Sequence, residues 1–205
     1  MPRHVSKDAL RRRIVEQRRA VPDGDWESED GARMSLLLEA LGEAPHTVAL
    51  YASRRGEPGT AAIIDRLHDA GWRILLPTLG TVVGWAPFEG WDRMRPGWGG
   101  IPEPTTPAGG AAALLDADHV VVAGLAVSRD GVRLGTGGGW YDRALLHRRP
   151  GVPVWVLTRT QELVEQLPAE EHDVPVDQVF TPDVVFVCDR ATSSMIGKSW
   201  PGQLS

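Results

Sequence analysis

Apolar runs too short for helices alternate along this chain with segments of helical period, and that alternation constrains the fold more than any other feature. Residues 47–51 (Thr-Val-Ala-Leu-Tyr), 73–76 (Arg-Ile-Leu-Leu), 119–123 (His-Val-Val-Val-Ala) and 153–157 (Pro-Val-Trp-Val-Leu) read as buried strands. Each is brief and continuous, the pattern of strands covered on both faces. Between them, residues 26–41 place Met34, Leu37, Leu38 and Leu41 on one helical face, with Gly42 as a stop. Residues 60–70 do the same with Ile63, Ile64 and Leu67 before Gly71. Residues 6–20 form a basic helix capped by Ser6, with a narrow stripe of Leu10, Ile14 and Val15. Further helices are expected over 140–149 and 161–166, short strands over 178–180 and 184–187, and a strand or hairpin arm over 82–88. Pro77 is expected to stop the second strand, and residues 97–104 to form a loop with little regular structure. Strands alternating with helices imply a three-layer α/β/α fold with a mainly parallel central sheet, Rossmann-like, preceded by a helical arm.

With 205 residues the chain can build one sizeable core, expected over residues 1–188, with a patternless polar tail over 189–205 expected to be disordered. A single cysteine, Cys188, excludes an internal disulfide and a cysteine zinc site and suits a reducing cytoplasm. The net charge of −5 argues against wholesale nucleic-acid binding. No apolar run approaches membrane-spanning length, and the N-terminus lacks the apolar core of a signal peptide. A cytoplasmic monomer acting on small molecules, without nucleic acid or membrane, is the expectation.

The chemistry concentrates in residues 131–143, Gly-Val-Arg-Leu-Gly-Thr-Gly-Gly-Gly-Trp-Tyr-Asp-Arg, with five glycines in the first nine positions. Lacking Cβ atoms, such a loop can turn its N–H groups toward an anion and let phosphate oxygens approach the main chain. Arg133 adds a fork of donors suited to phosphate. Asp142 is a hard oxygen ligand suited to Mg²⁺. A glycine turn that merely closes a strand onto a helix is the plainer reading, and the charged and aromatic neighbours weigh against it. No lysine follows as in a P-loop, and Trp140 stands where a dinucleotide fingerprint needs glycine.

Other candidates are ambiguous from pattern alone. Lys7 and Arg11 share a helix face, as phosphate-binding cations or as parts of a solvated basic helix. Asp173 is a second metal ligand or a turn former. Glu57 binds a polar substrate edge or pairs with Arg54 or Arg55. His172 beside acids is a general base or a bystander.

Five motifs in order resemble the 5-formyltetrahydrofolate cyclo-ligase family. They are Lys7-x-x-Leu10-Arg11, Gly56-Glu57 followed by Thr60, Gly100-Ile-Pro-Glu-Pro104, the 131–143 loop, and His172-Asp173 followed by Asp177. The resemblance implies ATP- and Mg²⁺-dependent ring closure of 5-formyltetrahydrofolate to 5,10-methenyltetrahydrofolate. It implies ATP contacts from Lys7, Asp8, Ala9, Leu10 and Arg11, and from Arg133, Leu134, Gly135, Thr136, Gly137, Gly138, Gly139, Trp140 and Tyr141. Folate contacts would come from Ala52, Glu57 and the 136–140 loop, Mg²⁺ ligation from Asp142 and Asp173, and catalytic charge from Arg133 and Lys7. Thr136 and Trp140 depart from the Arg or Tyr and the Tyr frequent at those positions. Competing readings are an α/β isomerase or acyl-CoA transferase that needs no ATP, a binding protein without turnover, and a basic-arm RNA-binding module.

Overall fold

A computed structural model describes residues 6–188; the expected tail lies outside them. Strands β1 (Thr47–Ala49), β2 (Arg73–Leu79), β3 (Val83–Pro87), β6 (His119–Ala123), β9 (Val154–Leu157), β11 (Gln178–Phe180) and β12 (Val185–Val187) form one sheet, ordered β12-β11-β9-β6-β1-β2-β3. The five inner strands are parallel, and an antiparallel strand closes each edge. Alternate side chains divide the core. Val48, Leu50, Ile74, Leu76, Val121 and Trp155 pack with Leu37 and Leu41 of α2 (Asp23–Leu41) and with Ile63, Ile64 and Leu67 of α3 (Ala61–Asp69). On the other face Ala49, Leu75, Val120, Val122, Val154 and Val156 pack with Leu114 and with Ala144 and Leu145 of α4 (Trp140–Leu145). This period-two division produces the expected three layers.

The basic helix is α1 (Lys7–Arg19), capped by Ser6, whose Oγ accepts from the Ala9 N–H. Its apolar stripe packs on a second small sheet that no local pattern announced: β7 (Ala126–Ser128) between β8 (Arg133–Leu134) and β10 (Leu163–Val164). The glycines at 135–139 therefore leave β8, an edge strand of this small sheet.

Other expectations are corrected by tertiary pairing. Pro77 does not stop β2, which runs on to Leu79 against β3. The Ile74 carbonyl accepts from Phe88 N of the β3 side, so Leu75 and Pro77 direct their main-chain groups the other way, where pairing to β1 ends at Ala49. The N–H that proline lacks has no ladder partner there to lose. Residues 161–166 are not a helix; a 3₁₀ turn at Thr160–Glu162 leads into β10, which pairs with β7. A helix that short has little stability of its own, so strand pairing prevails. The helix expected over 140–149 stops at Leu145, where i→i−3 bonds from His147 and Arg148 tighten the chain ahead of Pro150. Residues 94–104 form a hairpin, β4 (Met94–Pro96) with β5 (Pro102–Pro104), where an irregular loop was expected. The Glu103 carboxylate holds it by accepting from Leu79 N at 2.9 Å, and it passes so close to Gly97 that a Cβ there would lie 2.3 Å from its Cδ.

Strand order reverses beside β1, which pairs with β2 on one side and β6 on the other. The connections leaving the carboxyl ends of β1 and β6 therefore lead to helices on opposite faces, α3 and α4, which in open α/β sheets opens the crevice where ligands bind.

Candidate active site

That crevice is a cavity of about 1310 Å³ lined by residues 51–52 after β1 and by residues 123–125, from the last residue of β6 onward. α1 crosses one side. At 100° per residue Lys7, Arg11, Ile14 and Arg18 fall on one helical face. Ile14 is buried in the small sheet, and the three cations line the cavity. Arg11 Nε donates to the Gly135 carbonyl at 2.9 Å, and its Nη1 to Asp8 at 2.5 Å. Lys7 Nζ lies 3.0 Å from both Glu170 and Asp173. Burial opposes the charge on Lys7, but the bonds to Asp173 and Glu170 outweigh it and hold the ammonium above its usual pKa. For Asp173, burial is likewise outweighed, by the Glu170 N–H and by Lys7, and its carboxyl sits below the usual value.

Opposite the arm, Arg133 lies buried on β8. Its Nη1 donates to the Ala123 carbonyl at 3.3 Å and its Nη2 to Asp142 at 3.0 Å, with the guanidinium over the Tyr141 ring. Two glycines make room for it. A Cβ on Gly135 would lie 2.8 Å from Nη1, and one on Gly124 would lie 3.2 Å from Cγ. Arg133 Nε is buried without a hydrogen-bond partner. Loop residues 136–138 are exposed, with Gly137 at φ 106° and Gly139 at φ 59°, so the loop turns in conformations open to glycine and offers its edge to the cavity. The α4 helix that follows has only six residues, so Arg133 and the loop, rather than a helix dipole, set the charge here. Trp140 packs edge-on against Trp85 and Tyr141. Burial first, then the Glu57 charge, pushes the Tyr141 hydroxyl far above its ordinary pKa, so it stays protonated.

The two carboxylates expected to hold a metal meet at this wall. Asp142 Oδ1 accepts from Arg133 and, at 3.4 Å, from Val174 N, next to Asp173. The bonds to Asp142 fall on Oδ1 and those to Asp173 on Oδ2, which leaves the other oxygen of each as a hard donor. Among the described residues no group of three or more His, Cys, Asp or Glu side chains is arranged to hold a metal. A pair of carboxylates in a cleft lined by Lys7, Arg11, Arg133 and the glycine loop could hold Mg²⁺, which needs only one or two protein carboxylates, better than a metal that needs an all-protein cage.

Glu57 and Ala52 line the far side. Glu57 accepts from Arg54 Nε at 3.0 Å and from Arg54 N at 3.2 Å, so it is both an ion-pair partner and a cavity residue. Every site residue suggested by sequence lines the cavity except Ala9 and Leu10: the Ala9 N–H is taken by the cap and Leu10 packs toward the small sheet. His172 lies on the rim, 3.4 Å from Glu170. Sequence reasoning did not single out Arg18, Tyr51 or Trp98, all of which line the cavity. The signal for Arg18 was its spacing from Lys7 and Arg11, and for Trp98 an exposed aromatic among glycines.

A protein-family model described as the 5-formyltetrahydrofolate cyclo-ligase family matches residues 3–182. The chain belongs to the 5-formyltetrahydrofolate cyclo-ligase family. It is 37% identical over 183 residues to a 5-formyltetrahydrofolate cyclo-ligase of Mycolicibacterium smegmatis, covering 86% of this chain and 94% of that one. It is 30% identical to the Escherichia coli K12 enzyme of the same name, over 84% of this chain and 98% of the other. Among solved structures, the Aquifex aeolicus 5,10-methenyltetrahydrofolate synthetase superposes with a TM-score of 0.78 at 24% identity, over 93% of this chain and 96% of that one, and shares its fold. This cyclo-ligase is thus an enzyme of folate one-carbon metabolism.

Proposed function

We propose that this cyclo-ligase uses ATP to close 5-formyltetrahydrofolate to 5,10-methenyltetrahydrofolate, releasing ADP and phosphate. One observation carries the reading: Arg133 and the glycine loop, the Lys7–Arg11 face of α1, and the Asp142–Asp173 pair converge on one cavity that also holds Glu57. The formyl oxygen of an amide is a poor leaving group. Transfer of the γ-phosphoryl group to that oxygen breaks the bond to ADP and turns the oxygen into part of a phosphate. N10 of the same folate then forms a bond to the formyl carbon, the C–O bond breaks, and inorganic phosphate leaves; the N10 proton passes to solvent.

Such a transfer needs alignment and charge neutralisation more than covalent help. Arg133 and the loop amides would bind the transferring phosphoryl oxygens, and Lys7 and Arg11 would take the flanking phosphates. These groups are paired with carboxylates and carbonyls, so ATP would exchange those partners for its own oxygens. Asp142 and Asp173 would hold Mg²⁺, which when bound neutralises phosphate charge. Glu57 would accept N–H bonds from the pterin edge, with Ala52 and loop residues 136–140 against the folate. No side chain in the cavity is required as a nucleophile. We further propose that residues 1–188 act as one catalytic unit, a monomer in the cytoplasm.

Purified protein mixed with 5-formyltetrahydrofolate and MgATP should form methenyltetrahydrofolate, read by absorbance, and ADP in equal amounts, with every component required. Binding of both substrates without product would mean a non-catalytic member of the family. Product without ATP would exclude the phosphorylation route.

A further inference from the structure

Arg18 is the most deeply placed charge of α1, 4% exposed, and its guanidinium touches three other segments. Nε and Nη2 form a bidentate pair with Glu162 at 2.5 and 2.7 Å, Nη2 also donates to the Gly124 carbonyl at 2.8 Å, and Nη1 donates to the Gly56 carbonyl at 3.3 Å. Gly124 follows Ala123, whose carbonyl takes Arg133; Gly56 precedes Glu57. One buried cation therefore bridges the nucleotide wall and the loop that carries the folate-facing carboxylate.

A second route closes the circuit. Glu162 Oε2 also accepts from Arg159 N at 2.9 Å. The Arg159 side chain grips Glu29 of α2 at 2.8 and 2.6 Å, and Glu29 also accepts from Arg33 at 3.2 Å. The fully buried Arg33 pairs with Asp30, and Asp30 accepts from Gly59 N at 2.9 Å, at the other end of the same folate-facing loop. Charge-assisted bonds thus run from α1 through Glu162 and α2 to residue 59, and directly from α1 to residue 56. The circuit holds the loop at both ends while its α1 end carries Lys7 and Arg11. Arg18, Glu162 and Arg33 are buried, and Glu29, Asp30 and Arg159 are half-buried; the buried members have few alternative arrangements, because breaking their bonds strands charge away from water.

We propose that Arg18 is a positioning residue whose hydrogen-bonded circuit couples the two substrate sites, so that nucleotide held by α1 tightens the grip of the 56–59 loop on the folate, and the reverse. The inference rests on the assignment of ATP to the α1 side and folate to the Glu57 side. It requires that α1 and the loop shift together, which is what a shared set of rigid contacts imposes, and linkage makes the effect equal in both directions.

The test measures dissociation constants for 5-formyltetrahydrofolate with and without a non-hydrolysable ATP analogue plus Mg²⁺, and for the analogue with and without folate. The native protein should show the same factor in both directions, about fivefold or more. Arg18→Met and Glu162→Gln should bring that factor toward one. Asp30→Ala, which touches neither substrate and lies on the far side of the circuit, should do the same and serves should Arg18→Met fail to fold. Parallel loss of both affinities with the factor intact would make the circuit a scaffold only and overturn the proposal. Independent binding in the native protein would overturn the coupling while leaving the assigned activity standing; binding of neither ligand would overturn both.

Discussion

At the residue scale, charged groups in the cavity are paired with one another, so their roles separate by what each substitution strands. Arg133→Ala leaves Asp142 without its guanidinium and removes the donor fork from the glycine loop. We expect kcat/KM to fall by about 10²–10³-fold, the loss typical of removing one preorganised donor, with the fold retained by circular dichroism. Near-normal turnover would remove Arg133 from the phosphate role. Asp142→Asn keeps the shape and loses the charge; the Mg²⁺ concentration needed for half-maximal rate should rise by about tenfold or more. An unchanged Mg²⁺ requirement would place the metal elsewhere. Lys7→Ala frees Glu170 and Asp173 and should raise the KM for ATP more than that for folate. Equal rises would mean that Lys7 only ties α1 to residues 170–173.

Elements show how far the sequence could be read and where it stopped. The four apolar runs became β1, β2, β6 and β9 because strands buried on both faces need little beyond continuous apolar composition. The strands β7, β8 and β10 were invisible because two or three residues carry no period, and only pairing under α1 makes them strands. Within the site, the 131–143 loop was legible since its glycines, Arg133 and Asp142 are neighbours in sequence. The Arg18–Glu162 pair was not, because its members stand 144 residues apart. The β4–β5 hairpin yields a prediction of its own. Glu103→Ala would leave the Leu79 N–H unpaired and release the hairpin whose tip, Trp98, rims the cavity. We expect a loss of about 1–3 kcal/mol in denaturant unfolding and a higher KM for folate than for ATP. A stability loss with both KM values unchanged would show that the hairpin does not shape the folate side.

Across the whole molecule, the two ends of the main sheet differ in chemistry. Charges gather at the carboxyl ends of β1 and β6. At the amino end of β6, His119 lies against Trp155 at 4.8 Å and near Trp72 at 6.5 Å, with Nδ1 buried and unpartnered. Burial lowers the pKa of His119 below its usual 6.5; the nearby Asp118 opposes that shift and His46 adds to it. The unfolded chain therefore takes up the His119 proton at higher pH than the folded one. Its contribution to stability is complete above 6.5 and is lost as pH falls toward the folded value. Depressed carboxyl groups such as Glu29 and Asp118 contribute in the same sense only further down, below their ordinary values of 4.5 and 3.8. Between about pH 7.5 and about pH 5.5 the fall in Tm should therefore belong mainly to the histidine. His119→Phe keeps an aromatic ring against Trp155 without a titratable group. It should flatten the Tm profile across that window and leave kcat/KM at neutral pH unchanged, since the substitution is at the opposite end of β6 from the cavity. The same slope in the variant would assign the acid sensitivity to other groups, and altered activity would mean that packing at one end of β6 is felt at the other.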